Sequence, residues 1–458
     1  MYFRFMSYFQ QKLNTQLTSA FDLLSQLSDM TGLIYLHDQN SPIIAFLPQK
    51  FLLFQKSVLK QFNQYVFYQY TQADTSSIID FSSFDSKQTS QSDTCFNGGY
   101  IGFFSYDYSA NQFVDVAQHP QTSFFLGQYT TFLKFHKNEW YFYSDDQDQY
   151  IYEQISILLN KPMSEKLNPF SLLEKCHPRW SKQQYIQAFD QVQEYIKAGD
   201  CYQINLTQEF IATAQGSLLD QAQDLWELTH APYAGYLKID DFELLSCSPE
   251  LFIEFQTNRK IKTRPIKGTM PRFEDDQQDK ISRNKLSQSE KDQAENVMIV
   301  DLLRNDLSVY AEIGSVETTK LFEIESFNQV HHMVSEITAI LKEDVNPIEM
   351  LLSALPGGSI TGAPKIRAMQ IIEELEPCRR SVYCGAIGYL SQHGRMDSNI
   401  AIRTLICQQG IIYCWAGGGI VADSKADSEY QETFDKVAKI LPVLSALSTS
   451  NASQAQAS

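Results

Sequence analysis

No stretch of this 458-residue chain approaches the roughly 18 consecutive apolar residues of a membrane-crossing helix, so no membrane span is expected. Basic residues are scarce: 37 Lys+Arg against 54 Asp+Glu leave a formal charge of −17. Nucleic acid and anionic lipid are disfavoured as partners, because both carry the same sign. An anionic small molecule would need a local concentration of positive charge or a metal ion. No Cys-x-x-Cys pair occurs among the eight cysteines (95, 176, 201, 247, 378, 384, 407 and 414). That argues against a zinc site or a disulfide scaffold and fits reduced thiols in a cytoplasmic location. The first residues, MYFRFMSYFQQK, lack an apolar core and a cleavage pattern, so no signal peptide is expected. There is no internal repeat, no strand-bound Gly-x-Gly-x-x-Gly and no Gly-Lys-Ser/Thr, which excludes the dinucleotide and Walker phosphate loops.

What is present is an ordinary globular composition, 43% hydrophobic and 20% charged, with ample material for a large core. Residues 1–160 alternate aromatic-rich runs (TGLIYLHD, GGYIGFFSYDYS, TTFLKFH, EWYFYSDD) with polar breaks and read as strands and hairpins. Residues 71–95 read as a surface loop. Residues 161–180 hold three X-Pro pairs and read as a connector. From 181 to 446 helices and strands mix. SKQQYIQAFDQVQEYIKAGD has a helical period and stops at Gly199, and CYQINLTQEF and FELLSCSPELFIEF read as strands. The tail 447–458 is polar and expected to be disordered. The alternation predicts an α+β fold.

Four segments carry chemistry. In Thr263-Arg264-Pro265-Ile266-Lys267-Gly268-Thr269, a strand-like run ends in a glycine turn. A lysine there is most often a surface residue. Partly buried, its amine would lose charge more easily and could act as a nucleophile. Asp292 and Glu295 open one amphipathic helix, and Glu429 and Glu432 open another whose apolar face runs Tyr430, Phe434, Val437, Ile440, Leu441. Each acidic pair is three apart and shares a face. Two such helices facing each other make an oxygen-only site for Mg²⁺. The competing reading is solvated helix surface, with Glu432 and Lys436 as an ordinary i,i+4 pair. Pro356-Gly357-Gly358-Ser359-Ile360-Thr361-Gly362-Ala363-Pro364-Lys365 predicts a helix from about Thr361, with Pro364 in its first turn and Ile366, Met369, Ile371 and Ile372 facing the core. Its bare N–H groups suit an anion. Trp415-Ala416-Gly417-Gly418-Gly419 leaves strand backbone open to a ligand, and Arg403, ending the strand SNIAIRTLIC, can grip a carboxylate with two hydrogen bonds.

Taken in order, these segments resemble the chorismate-utilising enzyme family. The match is dense over 180–445 and includes Gly-Asp-Cys-Tyr-Gln-Ile-Asn (199–205), Ser-Pro-Glu (248–250), Val330-His331-His332, Gly388-Tyr389-Leu390 and Arg403-Thr404. Asn97-Gly98-Gly99-Tyr100-Ile101-Gly102 and Tyr106-Asp107 fit more weakly. The resemblance implies two large, mainly antiparallel β-sheets stacked as a sandwich with helices outside, the N-terminal strands joining the same sheets. It implies that Glu295 and Glu432 hold Mg²⁺, with Asp292 and Glu429 behind them, and that the ion takes the ring carboxylate of chorismate. Arg403 and Tyr389 would hold the enolpyruvyl carboxylate. Ser359, Thr361, Gly417, Gly419 and Lys436 would line the rest, with His332 beside the ring. Glu250 would protonate the departing 4-hydroxyl, and Lys267 would attack ring carbon 2.

Within the family, water-adding members use a lysine base where this chain has Gln203, which cannot serve as one. Members that make anthranilate usually have alanine at the Lys267 position and a Leu-Glu-Ser tryptophan-sensing motif, where this chain reads Tyr35-Leu36-His37-Asp38. The resemblance therefore points to amination of chorismate at carbon 4, a step towards p-aminobenzoate and folate. Ammonia would come from a separate glutamine amidotransferase subunit, giving a heterodimer, since no amidotransferase-like cysteine segment is found. The alternatives are the anthranilate-making reaction and a paralogue that binds chorismate without turnover. The retained Lys267, Glu250 and acidic pairs speak against the latter.

Overall fold

The computed structural model describes residues 9–38, 41–66, 69–73, 96–117, 121–145, 149–162, 169–327 and 330–446. The tail 447–458 and most of the expected loop 71–95 lie outside the described residues. The described strands form two antiparallel sheets of thirteen and twelve strands. Five strands of the first sheet and five of the second come from residues before 145, including Leu33–Leu36 and Phe132–His136 in the first and Lys50–Gln55 and Gly99–Phe104 in the second. The aromatic density of that region is core packing. Phe103 of the second sheet stacks on Phe242 of the first with ring centroids 5.4 Å apart, and Ile204, Leu244, Ile253, Phe255 and Ile387 fill the same interior. Burying each such side chain stabilises the fold by about 1.5–3 kcal/mol. A second core lies under helices Ala20–Gln26, Tyr150–Leu159, Ala222–Thr229 and Ile440–Ala446 on the other face of the first sheet. The architecture is α+β: two large antiparallel sheets packed together with helices outside.

Local signals explain most elements. Helix Lys182–Ala198 starts at a capping box between Ser181 and Gln184 and stops at Gly199, whose φ of 81° is the left-handed conformation of a C-cap. Several expectations need correction. Residues 71–73, expected in a loop, belong to strand Gln69–Ala73. The connector 161–180 contributes two short strands, Ser171–Leu172 and His177–Pro178, which pair with Gln203–Gln215. The helix expected from Thr361 starts at Lys365, because Gly362–Ala363 are drawn into the sheet opposite Gln203–Ile204. Ile366 is consequently half exposed, not core-facing. Ile440 and Leu441 belong to a separate helix, Ile440–Ala446, rather than to Ala426–Val437. The run SNIAIRTLIC is two strands, Met396–Ile400 in the twelve-stranded sheet and Thr404–Gln408 in the thirteen-stranded one.

Candidate active site

Two of the places where the chain passes from one sheet to the other lie side by side, and each carries a predicted site residue. The first runs from Phe242–Ser248 to Leu251–Phe255 and holds Glu250; the second runs from Met396–Ile400 to Thr404–Gln408 and holds Arg403. They are tied together. Ser248 Oγ donates to the Ile400 carbonyl (2.6 Å), the Ile400 amide donates to the Glu250 carbonyl (3.2 Å), and the Cys247 amide donates to the Arg403 carbonyl (3.0 Å). Arg403 has φ of 51°, unusual for a side-chain-bearing residue, and the crossing imposes it. Burial pushes the Glu250 carboxyl up to about 7, against the charge of Lys267, the Ile266 amide and the charge of Arg403.

Lys267 does not end its strand. The strand continues as Ile266–Pro271, with a register shift against Val330–Ile340 between Ile266 and Thr269. A bulge of this kind re-aims a side chain. Gly268 allows it: its φ is 81°, and a Cβ there would lie 2.9 Å from the Asp292 carboxyl carbon. The Lys267 side chain is half buried, and Nζ donates to the Ser359 carbonyl at 3.5 Å. Burial lowers its pKa, opposed by the charges of Glu250 and Glu295.

Asp292 and Glu295 lie on helix Glu290–Ser308, capped by Ser289; Glu429 and Glu432 lie on Ala426–Val437. The second pair leans over the bare strand: a Cβ on Gly418 would sit 2.9 Å from Glu429 Oε2 and 3.3 Å from Glu432 Oε1. Ser424 Oγ donates to Glu429 Oε1 at 2.7 Å. Lys436 Nζ bridges Glu432 Oε1 (2.7 Å) and the Gly417 carbonyl (2.6 Å). Burial raises the pKa of Glu295 and of Glu429, and the Glu432 charge adds to both. As the side chains stand, no group of three or more His, Cys, Asp or Glu among the described residues is placed to hold a metal ion. The donor set is nonetheless all carboxylate, the chemistry a hard divalent cation prefers, and Lys436 holds Glu432 by charge.

Strand Gln203–Gln215 pairs with Ile411–Ile420 so that Asn205, Leu206 and Thr207 face Gly419, Gly418 and Gly417. Gln203 is 1% exposed. Its Nε2 occupies the space a Cβ on Gly419 would need, and its Oε1 has no hydrogen-bond partner. Thr361 Oγ1 donates to the Gly357 carbonyl (3.0 Å), and the Thr361 carbonyl accepts from the Asn205 amide (2.8 Å). His332 Nδ1 lies 2.9 Å from Thr269 Oγ1. Burial and the Arg403 charge push the imidazole down to about 4, so the ring is neutral at pH 7.

A model described as chorismate binding enzyme matches residues 39–442. The chain belongs to that family. It is 52% identical over 272 residues to aminodeoxychorismate synthase component 1 of Klebsiella aerogenes, covering 59% of this chain and 60% of the relative. It is 44% identical over 371 residues to aminodeoxychorismate synthase component 1 of Escherichia coli strain K12, covering 79% and 80%. The crystal structure of anthranilate synthase component I from Streptococcus pneumoniae superposes with a TM-score of 0.75 at 30% identity, covering 88% of this chain and 92% of that one.

Most residues predicted from the family pattern converge. Lys267 feels the charges of Glu250, Glu295, Glu432 and Lys436, and it touches Ser359. Tyr389 stands apart. Its hydroxyl donates to Asp38 Oδ2 (3.3 Å) and accepts from Arg395 Nε (3.3 Å), and its ring meets Phe96, so it is engaged with these groups rather than with Arg403. Asn205, matched in the 199–205 motif but given no role, and Thr207, outside it, also stand here. A Cβ on Gly417 would meet Thr207 Oγ1 at 2.5 Å and Asn205 Oδ1 at 2.8 Å. Only the strand register brings those residues beside the glycines.

Proposed function

We propose that this chain is the chorismate-aminating component of an aminodeoxychorismate synthase, converting chorismate and ammonia to 4-amino-4-deoxychorismate. The observation that carries the reading is the half-buried Lys267 amine, its basicity lowered by burial, coupled to the buried acid Glu250. The two relatives of that name support it. The chorismate 4-hydroxyl is a poor leaving group. Glu250 delivers a proton to it while neutral Lys267 Nζ bonds to ring carbon 2, the two ring double bonds shift, and water departs. Ammonia then adds at carbon 4, the double bonds shift back, and Lys267 is expelled. Arg403 binds the enolpyruvyl carboxylate, and neutral His332 lies beside the ring. Ser359, Thr361, Gly417, Gly419 and Lys436 line the remainder, and Gln203, unlike a lysine, activates no water. Tyr389 would reach the substrate only by leaving Asp38 and Arg395.

Glu295 and Glu432 would hold Mg²⁺, with Asp292 and Glu429 behind them. A bound ion would neutralise the ring carboxylate and withdraw electron density from the ring. Ammonia would come from a separate glutamine amidotransferase subunit, consistent with relatives named as component 1. No helix among the described residues is long and apolar enough to cross a membrane, and the seven described cysteines are free, which supports a cytoplasmic site of action. Intact-mass measurement of the protein with chorismate but no ammonium tests the reading. The expected species gains chorismate less one water, and Lys267→Ala abolishes it. An adduct that survives in Lys267→Ala, or none in the wild type, defeats the covalent step.

A further inference from the structure

Arg380 is the bulkiest fully buried side chain among the described residues, 1% exposed, and the catalytic scheme above gives it no part. Its guanidinium is used on all sides. Nε and Nη2 form a two-pronged pair with Glu376 (2.9 and 2.6 Å), Nη2 also donates to the Asn205 carbonyl (2.6 Å), and Nη1 donates to the Ile360 carbonyl (2.9 Å). The face of Tyr106 lies 4.9 Å away. Glu376 Oε1 additionally accepts the Thr207 amide (2.9 Å).

These contacts fill a gap in a sheet edge. Along one edge of Gln203–Gln215, residues 203–204 pair with Gly362–Ala363 and residues 210–211 with His177–Pro178. Between them, the Asn205 carbonyl and the Thr207 amide face the ion pair instead of a strand. The same guanidinium holds Ile360, whose neighbours Ser359 and Thr361 form the turn that meets Lys267 and Asn205. A buried ion pair is weak evidence for stability, but one whose donors all reach backbone carbonyls or its partner carboxylate fixes geometry.

We infer that the Glu376–Arg380 pair is a positioning device that locks the Ser359–Thr361 turn to the strand facing Gly417–Gly419, setting the width of the chorismate pocket. The inference rests on the substrate role proposed for that turn. Arg380→Lys keeps one charge but cannot reach Glu376, Asn205 and Ile360 together. Hydrogen exchange read by mass spectrometry on peptides holding the Asn205, Ile360 and Thr361 amides should quicken at least about tenfold, while helix Tyr150–Leu159 is unchanged. KM for chorismate should rise about tenfold, with kcat altered less than about threefold. Unchanged exchange at those amides, or a fall in kcat with KM unmoved, overturns the inference. If the wild type leaves chorismate untouched, the proposed function fails, and exchange alone still decides whether the pair locks the turn. If Arg380→Lys does not fold, Glu376→Gln carries the same two measurements. Failure of both to fold marks the pair as a folding element and overturns the inference.

Discussion

Glu250 and Lys267 experience opposite consequences of one cause. Burial disfavours charge, so it raises the acid and lowers the amine, and their mutual attraction only partly restores both. The proposed reaction requires the acid protonated and the amine neutral. Activity should therefore fall as pH rises through about 7, where Glu250 loses its proton, and should also fall as pH drops through the lowered pKa of Lys267. A pH profile of kcat/KM checks this. Glu250→Gln should lose about 10²–10⁴-fold in kcat and erase the alkaline limb. A limb that persists in this variant belongs to another group. Lysine, glutamate and arginine were legible as candidates in the sequence because their motifs are local. The same reasoning gave Tyr389 as a carboxylate ligand but could not show that its hydroxyl is held by Asp38, some 350 positions away in the chain.

Two elements carry the site's shape, the bare strand Ile411–Ile420 and the segment 377–385 beside the Tyr106–Ala110 helix. A methyl on Gly419 has no space because the Gln203 carboxamide fills it. Gly419→Ala should cost about 1–3 kcal/mol in denaturant unfolding and weaken chorismate binding. Equal stability and binding would show that Gln203 moves freely. At the other element, Asp107 is buried against the Ser381 amide, and burial raises its carboxyl to about 7 from 3.8. The folded state therefore keeps a proton that the unfolded chain has lost between pH 4 and 7, and stability drains away as pH rises through that window, by at most about 1.4 kcal/mol per unit. Asp107→Asn carries no such penalty, so its stability relative to wild type should be higher at pH 8 than at pH 5. Urea midpoints at the two values test it. Elements such as Lys182–Ala198 were readable from period and caps, whereas the bulge at Lys267, the left-handed Arg403 and the start of Lys365–Leu375 are set by strand partners distant in sequence.

For the whole molecule, the sandwich explains how an acidic chain can present an anion site. Two neighbouring crossings between the sheets deliver Glu250 and Arg403 to one place, the edge strand adds Lys267, and the glycine strand adds bare backbone beside Lys436. The N-terminal strands belong to both sheets, so the change of sequence character near residue 160 does not coincide with the end of either sheet. The metal role proposed for Glu295 and Glu432 predicts that Glu432→Gln lowers Mg²⁺ affinity at least about tenfold while the fold survives, measurable by calorimetry. Affinity unchanged in Glu432→Gln would remove that residue from the metal site. The most direct measurement is product identification from chorismate, Mg²⁺ and ammonium, with and without a lyase that converts aminodeoxychorismate to p-aminobenzoate. The account predicts p-aminobenzoate only when the lyase is present; fluorescent anthranilate without the lyase, or chorismate left intact, would contradict it.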